Sequence, residues 1–186
     1  MGRQKNIVLG VTGSIAAHKA VDVASQLTKR EFKVEVVMTR DAQRFVTPLP
    51  FKTISRNPVV TDLYDEEDGW KPTHIRLADE ADLLLIAPAT ANILAKMATG
   101  IADDALSCIA LALNPDAKLI IAPAMNGKMW LHPATQQNVK ILEERGAIFI
   151  GPEEGMLSCG YEGIGRLWET AGIVELASNE LNGSAS

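Results

Sequence analysis

The chain of 186 residues contains only two cysteines, Cys108 and Cys159, far apart in sequence. That scarcity excludes a disulfide framework and the paired spacings of structural zinc sites, so no metal site is expected. Lys and Arg form no block, and the formal net charge is −5. A nucleic-acid partner is therefore not expected, because phosphate binding needs clustered cations. No apolar run approaches the roughly 20 residues that span a bilayer. Residues 1–6 lack the apolar stretch of a secretory leader and run straight into a strand pattern. Internal repeats are absent as well. Together these absences predict a cytoplasmic protein with neither membrane nor nucleic-acid partners.

The composition, 47% hydrophobic and 22% charged, is that of a globular protein with a sizeable core. The length fits a single domain over residues 1–186, with a flexible tail from about 180. Apolar runs of strand length at 6–12, 34–38, 82–87, 118–122 and 147–150 alternate with stretches of helical period. The helical stretches are 16–29, 91–99, 103–113, 133–145 and 170–182, with a short helix opening at Pro48 behind a capping Thr47. Near-continuous apolar strands belong to sheets covered on both faces. The β-α alternation predicts an α/β fold, a doubly wound parallel sheet in a three-layer αβα arrangement. Residues 65–69, Asp-Glu-Glu-Asp-Gly, read as a solvated loop.

Residues 123–130, Pro-Ala-Met-Asn-Gly-Lys-Met-Trp, directly follow a strand pattern. In open α/β sheets, ligands sit beyond the carboxyl ends of the strands. A neutral amide at Asn126 beside the thioethers of Met125 and Met129 suits a flat organic cofactor and a small polar substrate. Within this run Met125 and Trp130 read as packing rather than chemistry. At the end of the first strand, Gly10-Val-Thr-Gly13-Ser14-Ile15 reads either as a phosphate-binding turn or as a tight turn capped by Ser14. It matches neither the dinucleotide fingerprint nor the nucleoside triphosphate loop. Thr90 and Asn92, beyond the third strand, are ligand donors or helix caps.

His74, between the acidic loop and the third strand, is a structural hydrogen-bonding residue or a proton carrier, since imidazole titrates near neutrality. His18 and His132 carry no assignment. Cys159 lies among Gly155, Gly160, Gly163 and Gly165, in a window that reads as a mobile loop closing over a site. A thiol there suits proton or redox chemistry. Cys108, within an apolar helix, reads as core.

Taken together, these segments resemble the flavin-dependent cysteine decarboxylases, most closely the phosphopantothenoylcysteine decarboxylases. The resemblance rests on residues 11–17, the His74 segment with Ala81-Asp82, residues 87–92 with 100–103, residues 123–126 with Met129-Trp130, and residues 158–160 with Gly163 and Gly165-Arg166. They run in the family's order over nearly the whole chain. The resemblance implies a flavodoxin-like fold binding FMN near a subunit interface of a homotrimer or a homododecamer built from trimers. By position, Gly13, Ser14, Ile15 and Thr39 would meet the flavin phosphate side. Thr90, Ala91, Asn92, Ile93 and Ala124 would line the same cofactor. Asn126 would hold the substrate carboxylate, with Met129 and Ser158 beside it. His74 and Cys159 would be the catalytic acid/base groups, Cys159 on a flap over the substrate.

The implied reaction is the decarboxylation of 4'-phosphopantothenoylcysteine to 4'-phosphopantetheine in coenzyme A biosynthesis. A cysteinyl thiol is oxidised to a thioaldehyde, carbon dioxide leaves, and the enethiolate is reduced back, so there is no net redox change. Ile93, Met156 and Leu167 depart from residues frequent in relatives, which bears on flap contacts and substrate-phosphate recognition. Many bacterial relatives carry a second, ligase domain that this resemblance does not cover. The competing readings are a peptidyl-cysteine decarboxylase of bacteriocin maturation, a flavin prenyltransferase, and a non-catalytic regulatory subunit that keeps the fold.

Overall fold

Consecutive buried apolar residues make the centre of a six-stranded, all-parallel sheet in the computed structural model, which describes residues 3–64, 71–156, 160 and 162–183. The strands are β1 (Asn6–Val11), β2 (Lys33–Met38), β3 (Val59–Val60), β4 (Leu83–Ala89), β5 (Lys118–Pro123) and β6 (Ile148–Phe149). Their order is β3-β2-β1-β4-β5-β6. Apart from the two-residue edge strand β3, this is the flavodoxin-like arrangement, in which the strand order reverses beside β1. Every residue of β1 and β4 is buried because both faces of the sheet are covered.

The alternation of side chains along each strand feeds two separate cores. On one face, Leu9, Leu85 and Ile120 pack against Val23 and Leu27 of α1 (Ala20–Lys29), Phe51 of α2 (Pro48–Ser55) and Ile173 of α8 (Thr170–Asn182). On the other, Val8, Leu84, Ile86 and Ile121 meet Leu77 of α3 (Thr73–Glu80), Leu94 of α4 (Ala91–Thr99), Ile109 of α5 (Ala105–Leu111) and Leu142 of α7 (Pro133–Glu144). The four-residue helix α6 (Gly127–Trp130) adds the buried Trp130 to this second core. No helix among the described residues is long and apolar enough to cross a membrane.

Helix ends follow local chemistry. Thr90 caps α4, which ends at Gly100 with φ 77°. Asp104 and Ser107 form a capping box that starts α5 two residues later than the apolar period suggests. Lys96 braces this corner. Burial would lower its ammonium, but Asp103 and Asp104 outweigh that and hold it above the usual range. Thr47 makes no side-chain capping bond to α2, so that expected cap is absent.

Some stretches differ from the sequence reading. Residues 73–80 form α3, where the sequence suggested only a connecting segment. The glycine-rich window is partly ordered as an antiparallel hairpin, β7 (Glu153–Met156) with β8 (Glu162–Arg166). Helix α8, by contrast, spans Thr170–Asn182, the stretch of helical period expected there, with Leu181 buried.

A buried carboxylate fixes α3 on the sheet. Glu35 of β2 is 6% exposed. Its Oε1 lies 3.0 Å from Arg76 Nη1 of α3, and its Oε2 accepts from Asn6 Nδ2 at 2.9 Å, with Lys33 Nζ at 3.1 Å. Burial alone would raise the Glu35 carboxyl, but bonds from Asn6, Lys33 and Arg76, together with the Arg76 charge, hold it below the usual carboxylate range. Its contribution to stability is therefore complete above the unfolded value of about 4.3 and is lost as pH falls through the lowered folded value. Glu35→Gln is expected to lose about 1–3 kcal/mol at neutral pH in denaturant unfolding. The wild-type advantage should shrink below about pH 4; an advantage that grew on acidification would contradict the assignment.

Candidate active site

Helices α1 and α4 leave the adjacent strands β1 and β4 toward opposite faces, and the gap between them is where ligands bind in such sheets. A cavity of about 310 Å³ occupies this position. Beyond β1, Ser14 N donates to Thr12 O at 2.8 Å, and Ser14 Oγ accepts from Ala16 N at 3.3 Å, starting a 3-10 turn at Ile15–Lys19. Gly13 is needed here because a Cβ would stand 2.5 Å from Asp41 Cβ. Beyond β4, Thr90 Oγ1 accepts from Ile93 N at 3.4 Å.

Beyond β5, Ala124 N donates to Ala89 O at 3.0 Å and Met125 N to Gly165 O at 2.9 Å. The second bond fastens the hairpin to the Asn126 loop. Asn126 Oδ1 accepts from Lys128 N at 2.9 Å and caps α6. This short helix was not evident from the sequence.

The cavity gathers Gly13, Ser14, Ile15, Thr90, Ala124, Asn126 and Met129 from the residues singled out in the sequence. Others stand apart from its lining. Thr39 lies past β2, its Oγ1 accepting from Ala42 N at 3.3 Å. Ala91 and Asn92 open α4 beside the cavity rather than lining it, Asn92 exposed. Ile93, in the same turn, has its side chain 1% exposed in the second core, and its N–H donates to Thr90 Oγ1.

His74 sits near the start of α3, half-buried and outside the cavity lining; its Nδ1 is buried with no hydrogen-bond partner among the described residues. Ser158 and Cys159 lie outside the described residues. Cys108 is half-buried, its thiol pushed up by burial and by Asp104 and Asp103, and it donates to Ala102 O at 3.4 Å. It therefore stays a protonated packing group.

Ala16, Met125 and, from the hairpin and its exit, Met156, Gly165, Arg166 and Leu167 complete the walls. The glycine spacing predicts a mobile loop closing over a site rather than a hairpin. Arg166 is the sole ionisable residue among the described lining, and its Nη2 lies 3.4 Å from Glu153 and 3.7 Å from Glu169. Hydroxyls at one end, thioether and aliphatic walls, and one amide at the other suit a planar ring with a polar tail beside a small polar molecule.

The fold and this site define the class: the chain belongs to the flavoprotein family, which it matches over residues 1–182. Among curated relatives, it is 47% identical over 177 residues to the coenzyme A biosynthesis bifunctional protein CoaBC of Bacillus subtilis (strain 168), covering 95% of this chain and 43% of that protein. The chain thus spans less than half the length of that relative. It is 43% identical over 177 residues to the probable phosphopantothenoylcysteine decarboxylase of Streptococcus mutans serotype c, covering 95% of this chain and 99% of that one.

Among solved structures, a cysteine-to-serine mutant of PPC decarboxylase complexed with pantothenoylaminoethenethiol superposes with a TM-score of 0.85 at 31% identity, over 95% of this chain and 97% of that one. The FMN-dependent cysteine decarboxylase SpaF superposes with a TM-score of 0.85 at 35% identity, over 98% of each chain.

Gly165 has φ 142°, and a Cβ there would collide with the Met125 carbonyl. Gly165→Ala is expected to detach β8 from the Asn126 loop and to cost about 1–3 kcal/mol. Thermal unfolding, with amide exchange at Met125 N, reads both effects; unchanged protection at Met125 would contradict the attachment.

Proposed function

We propose that the chain is an FMN-dependent decarboxylase of 4'-phosphopantothenoylcysteine, acting in the cytoplasm and yielding 4'-phosphopantetheine and carbon dioxide. The observation that carries this reading is the convergence of the Ser14 turn, the Thr90 turn and the Asn126 loop on one cavity at the reversal of strand order. Membership of the flavoprotein family and the names of the relatives above support the substrate and the cofactor.

The residues present fit FMN. Gly13 gives backbone access where no Cβ has room, the Ser14 and Thr90 hydroxyls face the cavity, and Ile15, Ala124 and Met125 form apolar walls for a flat ring. Bound FMN would supply a two-electron acceptor for the substrate thiol, restored within each turnover, and the oxidised thiol would be the electron sink for the departing carboxylate.

This chain's own groups bind and move protons. Asn126, its Oδ1 accepting from Lys128 N, is the amide that orients the substrate carboxylate without a permanent countercharge. Met129 and Met156 enclose the substrate side and exclude water. Cys159 protonates the enethiolate carbon on the return step. His74 serves as acid/base toward the thiol.

Because His74 stands outside the cavity of its own chain, we place it in the site of a neighbouring copy, in a homotrimer or a homododecamer of trimers. Ile15, Met129 and Met156 are 58%, 49% and 60% exposed at the cavity rim, which supports a second copy covering it.

The purified protein is expected to be yellow and to release FMN on heating. It should liberate carbon dioxide from 4'-phosphopantothenoylcysteine and not from a peptide with C-terminal cysteine. Asn126→Ala should keep the flavin but lose at least about 100-fold in turnover, the scale of removing one oriented donor. Cys159→Ser should accumulate the oxidised enethiol product. A flavin-loaded wild type that releases no carbon dioxide would sink the proposal.

A further inference from the structure

The two hydroxyl-bearing turns of the cavity are held by a residue that does not line it. Thr12 directly follows β1 and is 1% exposed. Its carbonyl accepts from Ser14 N at 2.8 Å. Its Oγ1 donates to Pro88 O at 2.7 Å and accepts from Thr90 N at 3.1 Å. The register between β1 and β4 ends at the Gly10–Ile86 pair, and that between β4 and β5 shifts between Ile86 and Ala89. Past that point the Thr12 hydroxyl takes the place of the strand ladder. A hydroxyl donates and accepts at once; valine has nearly the same shape and does neither.

From this geometry we infer that Thr12 is a positioning residue for the cofactor end of the cavity. It fixes the separation of the Ser14 and Thr90 turns and, through them, the affinity for FMN. The inference rests on the flavin reading of the site. Each bond of Thr12 is already satisfied within the protein, so it touches no ligand and acts only through Ser14 and Thr90.

The test measures FMN affinity by quenching of flavin fluorescence on the apoprotein of the full chain. Thr12→Val leaves two buried backbone groups unpaired, and its affinity is expected to fall about tenfold or more. Thr12→Ser keeps the hydroxyl and should stay within about threefold of wild type. If Thr12 acts through Thr90, the double variant Thr12→Val with Thr90→Ala should bind no more weakly than the weaker single variant. Losses that simply multiply would mean independent effects and overturn the inference, as would a Thr12→Val protein that binds like wild type.

Amide exchange at Thr90 in the wild-type apoprotein supplies a second arm that needs neither flavin nor a folded Thr12→Val. Thr90 N lies outside every helix and strand ladder described, so exchange slowed by at least about 100-fold supports the Thr12 tie. Exchange at the unprotected rate overturns it. Absence of FMN binding by the wild type would instead strike the functional reading, leaving the exchange arm to decide this one.

Discussion

Two parallel strands paired side by side that send their next helices to opposite faces leave a space between their carboxyl ends. In this protein that constraint falls on β1 and β4, and the rest of the site depends on it. The Ser14 and Thr90 turns open where the ladder stops, and β5 adds the Asn126 loop on the same side. The apolar sheet thus decides where polar groups converge, although none of its own side chains takes part in the chemistry.

A charged cluster on the second face supports this arrangement. Buried carboxylates are costly unless paired, and Glu35 is paired three ways, to Asn6 at the start of β1, to Lys33 on its own strand and to Arg76 on α3. Arg76 lies two positions after His74 on the same helix. The clamp therefore sets the rotation and height of α3 on the sheet. It also joins β1, β2 and α3 at a level where apolar packing alone tolerates sliding.

What the sequence reveals follows physical range. The strands announce themselves as apolar runs because both faces are covered, and the helices by their period and end residues, such as Gly100 and Pro133. Ser14, Thr90 and Asn126 were legible because each pairs local turn chemistry with a position just past a strand. Helix α3 was harder to see, since eight residues next to an acidic loop give little more than two turns of period. Ile93 lies in the Thr90 turn, but that its side chain joins the second core becomes visible only in the folded chain. Thr12 reads as one more strand-end residue until the tertiary fold brings Pro88 and Thr90 against it. The relation of His74 to the cavity is likewise a matter of three-dimensional placement that spacing along the chain does not encode.

The bond between Met125 N and Gly165 O, with its tight glycine contact, joins the hairpin to the loop that carries Asn126. For the proposed substrate, covering the molecule and gripping its carboxylate would therefore be one degree of freedom rather than two. A molecule that fits the wall but misplaces its carboxylate strains the same backbone that must settle over it, and one with a well-placed carboxylate but the wrong shape meets the same resistance. Discrimination then arises from a single mechanical element that reports both mismatches together, without separate checkpoints for size and charge.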